Sequence, residues 1–312
     1  MAFWLVTGGA GFIGSHVVEG LIDKGERVRV LDNFATGKRE NLLPWEDRVE
    51  IVEGDIRSYH TVIDALQGID IVVHLGALPS VPRSVKDPIT TNDVNVGGTL
   101  NVLDASRFCG VKKFVFASSS SVYGNGGGLP RREDMPCFPV SPYAISKLAG
   151  EQYALSFAQL YGMEVVSLRF FNVFGPRQDP TSQYSGVIAK FCRWVLEEKP
   201  VVIFGDGTQT RDFTYVKDVA EVVIRAGSAS GVSREVVNVA QGKRVSVLHL
   251  VEVLEEITGR DIERHFAPPR KGDVMHSQAD ITKMKRLFDY EPRFSFEEGM
   301  RHTFEWYVKE CN

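Results

Sequence analysis

Residues 7–14 read Thr7-Gly8-Gly9-Ala10-Gly11-Phe12-Ile13-Gly14, with glycines three residues apart at Gly8, Gly11 and Gly14. A strand-like apolar run at residues 3–6 precedes this stretch, and a helical pattern begins at Phe12. Glycines at such a junction let the backbone turn tightly and approach a pyrophosphate, which lies at the positive N-terminus of the helix beside Phe12 and Ile13. The spacing alone is common, but its position between a strand and a helix predicts a dinucleotide site.

Asp32 ends the next predicted strand, about 20 residues after the glycines. A carboxylate at this position accepts hydrogen bonds from ribose hydroxyls and repels a 2′-phosphate, which favours NAD over NADP. Lys38 and Arg39 lie close enough in sequence to leave NADP open. Further segments at strand ends are expected to contact the cofactor, although each could be a plain turn: Asn33, Asp55-Ile56 and Leu75-Gly76-Ala77.

Short apolar runs alternate with helical patterns over the first half of the chain. Strands are predicted near residues 3–6, 28–32, 49–52, 69–75, 113–118 and 164–170, and helices near 12–24, 95–109 and 143–160. This alternation predicts an α/β fold of the Rossmann type, a doubly wound parallel sheet with helices on both faces. The pattern loosens later, which predicts a dinucleotide domain over 1–171, to which 214–242 returns, and a smaller α/β substrate lobe mainly over 172–312.

The composition limits which binding partners and which cellular compartment are expected. A chain of 312 residues with 43% hydrophobic residues can bury a full core, and its net charge of −4 does not favour nucleic acid or an anionic membrane. The four cysteines, Cys109, Cys137, Cys192 and Cys311, form no CxxC pair, which argues against a metal site and a disulfide scaffold and favours the cytoplasm. We predict no signal peptide and no membrane helix.

Tyr143 is followed four residues later by Lys147, one helical turn away, so both side chains share a face. Ser141 and Pro142 supply an N-cap and a first helical residue just before the tyrosine. Tyrosine titrates near ~10 in water, but a nearby ammonium and an oxidised nicotinamide would stabilise the phenolate, which could then take a proton from a hydroxyl. Taken alone, the pair could equally decorate a solvated helix.

The fifth predicted strand ends in Ser118-Ser119-Ser120-Ser121-Val122-Tyr123-Gly124. Hydroxyl groups therefore stand at the carboxyl end of the strand, where parallel sheets bind their ligands. Together with the glycines, Asp32, the Tyr143 and Lys147 pair and Arg169-Phe170-Phe171-Asn172, these serines resemble the extended short-chain dehydrogenase/reductase superfamily across essentially the whole chain. The resemblance implies NAD as the cofactor, Ser119, Tyr143 and Lys147 as the catalytic residues, and Phe171 beside the cofactor.

Within that superfamily, the chain looks most like the UDP-sugar 4-epimerases. The resemblance implies that Asn172, Arg211 and Arg270 contact the diphosphate, that Asp273 contacts the uridine ribose, and that Val187 and Phe204 pack around the uridine. The segments 80–84, 177–180 and 276–280 are similar to UDP-N-acetylglucosamine 4-epimerases, and Ser277 leaves volume for an acetamido group where some relatives carry tyrosine. It also implies a homodimer through the helices near 95–109 and 143–160.

Several alternatives stay open. Ser120 and Ser121 stand where sugar-nucleotide dehydratases carry an Asp-Glu pair, so epimerisation is expected rather than loss of water. The same serine run also resembles UDP-glucuronate 4-epimerases, and a UDP-glucuronate decarboxylase or another net oxidoreductase is a related possibility. A non-catalytic NAD-binding regulatory protein is the remote alternative, since such a protein needs only the dinucleotide half.

Overall fold

The computed structural model describes residues 1–180, 186–269 and 274–311. Its strands, in chain order, are β1 (Phe3–Thr7), β2 (Arg27–Asp32), β3 (Val49–Glu53), β4 (Ile71–His74), β5 (Lys113–Ser119), β6 (Glu164–Phe170), β7 (Val173–Phe174), β8 (Val201–Phe204), β9 (Thr210–Arg211), β10 (Thr214–Tyr215), β11 (Glu235–Val239), β12 (Val245–Ser246) and β13 (Arg264–Ala267). Its α-helices are α1 (Phe12–Asp23), α2 (Tyr59–Leu66), α3 (Val81–Lys86), α4 (Pro88–Asn92), α5 (Thr99–Phe108), α6 (Pro142–Tyr161), α7 (Val187–Leu196), α8 (Val216–Ser228), α9 (Val247–Thr258), α10 (Thr282–Phe288) and α11 (Phe296–Cys311).

The largest sheet contains seven parallel strands in the order β11-β6-β5-β4-β1-β2-β3. Every residue of β1 is buried, as expected for a strand that is covered on both faces. The chain starts at β1 and winds outwards first through β2 and β3 and then through β4, β5 and β6. The predicted doubly wound α/β fold is confirmed, and its strand order reverses between β1 and β4, where such sheets bind ligands.

Two layers of helices cover this sheet. Trp4 and Val6 point into a core shared with α1 and α8, whereas Phe3 and Leu5 point into a core shared with α2, α5 and α6. Successive side chains of β1 thus serve opposite faces, as the strand periodicity requires. The predicted helices at 12–24, 95–109 and 143–160 correspond to α1, α5 with the π-helical turn before it, and α6.

The smaller lobe is assembled from short pieces. Its strands pair two by two: β7 with β10, β8 with β13, and β9 with β12, the last pair being antiparallel. The helices α7, α9 and α11 pack around a common core that includes Phe191, Leu250 and Met300. Because β11 belongs to the large sheet, the chain returns to that sheet after β10. The domain limits 1–171 and 172–312 stay a prediction.

Within the described ranges, no helix combines the length and the apolar content needed to cross a membrane. The same residues hold no group of three or more His, Cys, Asp or Glu side chains arranged to bind a metal ion. The thiols of Cys109, Cys137 and Cys192 are free. The cytoplasmic location expected from the cysteine usage stays a prediction.

Candidate active site

The glycine turn joins β1 to α1 at the carboxyl edge of the large sheet. Gly8 has a φ of 71°, a left-handed value that favours glycine. A Cβ on Gly14 would lie 2.1 Å from the Gly8 carbonyl oxygen, and a Cβ on Gly8 would lie 2.9 Å from the Gly76 Cα. Glycines therefore allow α1 to begin directly on the turn. No side chain of the described residues caps α1, so its first N–H groups, near Phe12 and Ile13, suit an anion.

Asp32 lies beside this turn at the end of β2 and is buried. Its carboxylate accepts the Ala10 N–H at 2.9 Å and the Phe34 N–H at 2.8 Å. Burial raises the pKa of Asp32, and the two backbone hydrogen bonds oppose that rise. The carboxylate has further lone pairs for the hydroxyls of a ribose. Arg39 is one of the two basic residues whose sequence position kept NADP as an alternative cofactor. Its guanidinium pairs with Glu53 and lies 4.1 Å from the centroid of the Phe34 ring.

Asn33, Asp55 and Ile56 form the neighbouring edge, at the ends of β2 and β3. Asn33 Nδ2 donates to the Asp55 carboxylate at 2.9 Å, and Arg57 donates to it at 2.8 Å. The hydrogen bond from Arg57 is the main cause that lowers the pKa of Asp55 to about 2. Ile56 packs tightly on Gly98, where a Cβ would lie 2.6 Å from the isoleucine side chain. Two polar residues and one apolar residue thus stand at these two strand ends beside Asp32, where we predict the adenine side of the dinucleotide.

The segment Leu75-Gly76-Ala77 follows β4 and runs along the glycine turn. The Gly76 N–H donates to Thr7 Oγ1 at 3.1 Å. His74 lies beneath this contact, with Nδ1 2.7 Å from Thr7 Oγ1 and Nε2 3.0 Å from Thr99 Oγ1. Burial is the main cause that lowers the pKa of His74 to about 3, so its ring is neutral at physiological pH. His74 was not among the predicted residues, although a histidine that ends a buried strand beside the glycines was an available signal.

The start of α6 brings Tyr143 and Lys147 to the end of β5. Ser141 Oγ accepts the Ala144 N–H at 3.2 Å, and Pro142 occupies the first helical position. The predicted N-cap and the predicted helix start are therefore confirmed. Since Tyr143 and Lys147 are one turn apart on this helix, both face the same strand end.

The three predicted catalytic side chains meet at this strand end. The Tyr143 phenol lies near the Ser119 hydroxyl, whose Oγ accepts from Ser121 Oγ at 2.9 Å. Lys147 is buried, and its Nζ donates to the Ala117 carbonyl oxygen at 2.9 Å. Burial raises the pKa of Tyr143, and the hydrogen bond with Ser119 opposes this. Burial lowers the pKa of Lys147 to about 8, so at neutral pH its ammonium is mostly charged.

Residues distant in sequence hold the backbone of Tyr143. Ser84 of α3 accepts the Tyr143 N–H at 3.0 Å, and Ser146 donates to the Tyr143 carbonyl oxygen at 2.8 Å. Asn95 Nδ2 in turn donates to Ser146 Oγ and to the Leu78 carbonyl oxygen, both at 3.1 Å. These contacts join the segment after β4 to the catalytic helix. They were not predicted, because no local pattern connects a serine of α3 with the start of α6.

The motif Arg169-Phe170-Phe171-Asn172 contributes in three different ways. Arg169 forms a buried ion pair with Glu151 of α6, with Nη2 2.6 Å from Oε1. The Phe171 ring is buried against Tyr123, with ring centroids 6.2 Å apart. The Phe171 ring belongs to the core, and the expected contact of this residue with the cofactor stays a prediction. Asn172, the next residue, lines the cavity of the smaller lobe.

A cavity of about 240 Å³ lies between β8, α7 and the segment that follows β6. Four of the predicted substrate residues line it: Asn172, Val187, Phe204 and Arg211. Lys190, Trp194 and Gln209 also line it and were not predicted, although Lys190 and Trp194 share the helix of Val187. The lining thus combines apolar side chains with amide and basic groups, a composition suited to a nucleotide base and its diphosphate.

Ser277 lies beside β9 rather than among the lining residues of this cavity. Its N–H donates to the Thr210 carbonyl oxygen at 3.1 Å, one residue from Arg211. Its side chain is half-buried. The other two predicted substrate residues, Arg270 and Asp273, lie outside the described residues.

Comparison with known proteins identifies relatives of the whole chain. Residues 4–240 match the model of the NAD dependent epimerase/dehydratase family. The chain is 40% identical over 306 residues to a putative UDP-glucose 4-epimerase of Methanocaldococcus jannaschii, with 97% of both chains covered. It is 37% identical over 317 residues to a UDP-glucuronate 4-epimerase of Thermodesulfobacterium geofontis, which covers 98% of this chain and 96% of the relative.

A solved structure is similar over the same length. It is the UDP-N-acetylglucosamine 4-epimerase from Methanobrevibacter ruminantium M1 in complex with UDP-N-acetylmuramic acid. The TM-score is 0.95 at 40% sequence identity, with 99% of both chains covered. The likeness thus includes the large sheet and the smaller lobe.

Proposed function

Because this chain belongs to the NAD-dependent epimerase/dehydratase family, we propose that it inverts C4 of UDP-hexoses. The proposed substrates are UDP-N-acetylglucosamine and UDP-N-acetylgalactosamine, together with UDP-glucose and UDP-galactose. The observation that carries the proposal is that α6 brings Tyr143 and the buried Lys147 to the end of β5, where Ser119 lies. Ser119 pairs with Phe170, and Asn172, two residues later, lines a cavity with Arg211 that suits a diphosphate.

The residues at the carboxyl edge of the sheet fit the NAD of this family. The tight glycine turn, the uncapped start of α1 and the Asp32 carboxylate would hold a pyrophosphate and a ribose. NAD held by these residues would supply a reversible hydride acceptor for C4 and a positive charge that favours the Tyr143 phenolate. Asp32 would disfavour a 2′-phosphate, so NAD rather than NADP is expected.

The side chains of this protein would manage the proton and the substrate. Tyr143 takes the proton of the C4 hydroxyl, and Ser119 donates a hydrogen bond to the carbonyl oxygen that forms. The Lys147 ammonium keeps positive charge beside the tyrosine. The 4-keto sugar then turns about its diphosphate linkage while Arg211 and Asn172 retain the nucleotide. Tyr143 finally returns the proton to the inverted C4 oxygen, so no net oxidation occurs.

The proposal is tested by incubating purified protein with UDP-N-acetylglucosamine, UDP-glucose and UDP-glucuronate in separate reactions and resolving the products. We expect the 4-epimers of the first two substrates. The nucleotide released on denaturing the protein should be NAD, identified by mass. Recovery of NADP would contradict the role given to Asp32, and the absence of any epimer from all three substrates would overturn the proposed function.

A UDP-glucuronate 4-epimerase is the second candidate. It is favoured by the hydroxyls of Ser119, Ser120 and Ser121 at the end of β5, since such groups suit a carboxylate at C5, and by the relative of that name. The same three reactions separate the candidates, because UDP-galacturonate would then be the main product. Release of carbon dioxide would instead indicate a decarboxylase.

We also propose a homodimer through α5 and α6, which lie side by side with Arg107 over the Tyr161 ring at 4.6 Å. Phe108 and Leu160 are large apolar residues on these helices, with 73% and 68% of their surfaces exposed. Contiguous exposed apolar side chains of this kind mark association surfaces. Sedimentation velocity should give about twice the monomer mass, and Leu160→Glu should shift the protein towards the monomer. A monomeric wild-type protein at micromolar concentration would contradict the dimer.

A further inference from the structure

Asp212 directly follows Arg211 at the end of β9, and its side chain is completely buried. The carboxylate accepts four backbone hydrogen bonds. Oδ1 accepts the N–H of Gln241 at 3.0 Å and that of Gly242 at 3.2 Å. Oδ2 accepts the N–H of Gly242 at 3.1 Å and that of Ala279 at 3.0 Å. One side chain therefore binds two other segments of the chain.

Two of the joined segments, those of Asp212 and Ala279, carry parts of the proposed substrate site. The Asp212 segment carries Arg211, and the Asp212 carbonyl oxygen accepts from Asn172 Nδ2 at 3.3 Å. Ala279 lies two residues after Ser277. Gln278 adds a second tie, since its Nε2 donates to the Gly242 carbonyl oxygen at 2.9 Å. The carboxylate thus stands between the diphosphate side of the site and the segment of Ser277.

The short strands of this region explain why a side chain is needed. β9 and β12 contain two residues each, so their ladder gives little resistance to sliding or twisting. A carboxylate that accepts from several N–H groups can fix the distance between segments that no long ladder joins. The neighbouring segment of Ser277 meets β9 in a bridge of one residue pair, Thr210 with His276, which has two backbone hydrogen bonds.

This arrangement costs folding free energy. Burial raises the pKa of Asp212 to about 7, and the hydrogen bonds from Ala279, Gln241 and Gly242 oppose the rise. The donors are backbone dipoles rather than counter-ions, so the charged form is only partly compensated. Burying the Asp212 carboxylate costs free energy of folding, so its presence beside a candidate ligand cavity indicates a role in function rather than in stability.

We infer that Asp212 is a positioning residue for the UDP-sugar: its carboxylate sets the spacing between Arg211 with Asn172 on one side and the Ser277 segment on the other. The inference rests on the proposed function, because it assumes that Arg211 binds the diphosphate. The nucleotide must stay held while the keto sugar turns, so the spacing of these groups affects how tightly UDP is bound.

The direction in which UDP affinity changes when Asp212 is replaced distinguishes a positioning role from a purely electrostatic one. UDP is an anion, and replacing Asp212 by a neutral residue removes negative charge beside Arg211, so Coulomb's law alone predicts tighter UDP binding. Asp212→Asn also replaces one acceptor oxygen with an amide donor that would face the N–H groups of Gly242 and Ala279. The segments should then separate, and UDP binding should weaken.

The test is titration calorimetry of the NAD-loaded protein with UDP, well below the unfolding temperature of each variant. We expect Asp212→Asn to raise the Kd of UDP roughly 10- to 100-fold, the range typical of misplaced binding groups, with unchanged NAD content. Asp206→Asn is the matched control, because Asp206 is an exposed carboxylate that binds Thr208 in the adjoining turn. Its Kd should stay within about twofold of the wild-type value.

Gln278→Ala keeps the inference falsifiable if Asp212→Asn does not fold, because it removes the second tie without burying an unpaired group. Weaker UDP binding by this variant would then support the inference, and unchanged binding would overturn it. A folded Asp212→Asn protein that binds UDP equally or more tightly overturns the inference while the proposed function stands. Wild-type protein that binds no UDP overturns the proposed function, and the inference with it.

Discussion

The two sides of the candidate active site are built differently. On the cofactor side, long parallel strands end in a turn where glycine backbones touch, as at Gly8 and Gly14. On the substrate side, strands of two residues are held together by side chains such as Asp212 and Asn172. We therefore expect the backbone to fix the position of the cofactor, and side chains, which single substitutions can alter, to set the position of the substrate.

The largest expected effect lies where the two sides meet. Tyr143→Phe should keep the fold and the NAD content but lower kcat about 10²- to 10⁴-fold, since it removes the proposed general base. Steady-state rates with UDP-glucose measure this effect. Tyr153→Phe, an exposed tyrosine of the same helix, is the control and should retain wild-type rates. Near-normal turnover by Tyr143→Phe would refute the proposed mechanism.

A glycine substitution on each side tests the comparison directly. In Gly14→Ala the new Cβ meets the Gly8 carbonyl oxygen at 2.1 Å, so α1 must shift away from the turn. We expect the NAD content of the purified protein to fall by an order of magnitude and the unfolding temperature to drop. Gly205→Ala finds no atom closer than 3.8 Å and should cost only the left-handed backbone strain of about 1–2 kcal/mol, with NAD retained. An equal loss of NAD from both variants would contradict the expectation that the glycine turn fixes the position of the cofactor.

The cofactor side was easier to predict from the sequence, because it is built mainly from local backbone structure. An apolar run such as Phe3–Thr7 predicts a strand that is buried on both faces. The spacing of Tyr143 and Lys147 predicts that both side chains lie on one face of a helix. The contacts between Ser84 and Tyr143, and between Asp212 and Ala279, join residues 59 and 67 positions apart and depend on the tertiary fold.

Phe171 shows a second limit of sequence reading. A motif match assigns a residue to a neighbourhood but does not give the direction of its side chain. The Phe171 N–H donates to the Val239 carbonyl oxygen at 3.1 Å, which extends the pairing of β6 with β11 by one residue. The ring points into the core beside Tyr123, and the next residue, Asn172, lines the cavity.

Glu19 links α1 to the loop that leads into the smaller lobe, where it pairs with Arg177 and lies 3.5 Å from His16 Nδ1. Burial raises the pKa of Glu19, but hydrogen bonds and charges from His16 and Arg177 lower it to about 2. A lowered pKa means that this stabilisation is present above the ordinary value near 4.5 and is lost as the pH falls towards 2.

Glu19→Gln should therefore lower the free energy of unfolding by about 2 kcal/mol at pH 7. The gap between wild type and variant should narrow as the pH falls from 5 towards 3. Denaturant unfolding at several pH values measures both. Glu46→Gln, which changes an exposed carboxylate, should follow the wild-type curve throughout. A gap that stays constant with pH would show that the charge of Glu19 does not support the link.

The smallest expected effect concerns the preference between sugars on the substrate side of the site. Ser277 lies next to β9, and we propose that a serine at this position leaves volume for an acetamido group at C2 in both orientations of the keto sugar. Ser277→Tyr should fill that volume and lower kcat/KM for UDP-N-acetylglucosamine about tenfold relative to UDP-glucose, a selectivity typical of packing differences of a few atoms. Competition between the two substrates in one reaction measures this ratio. Met275→Tyr adds the same ring at an exposed neighbouring position and should leave the ratio unchanged. Equal losses on both substrates in Ser277→Tyr would show that Ser277 does not set the preference for N-acetylated sugars.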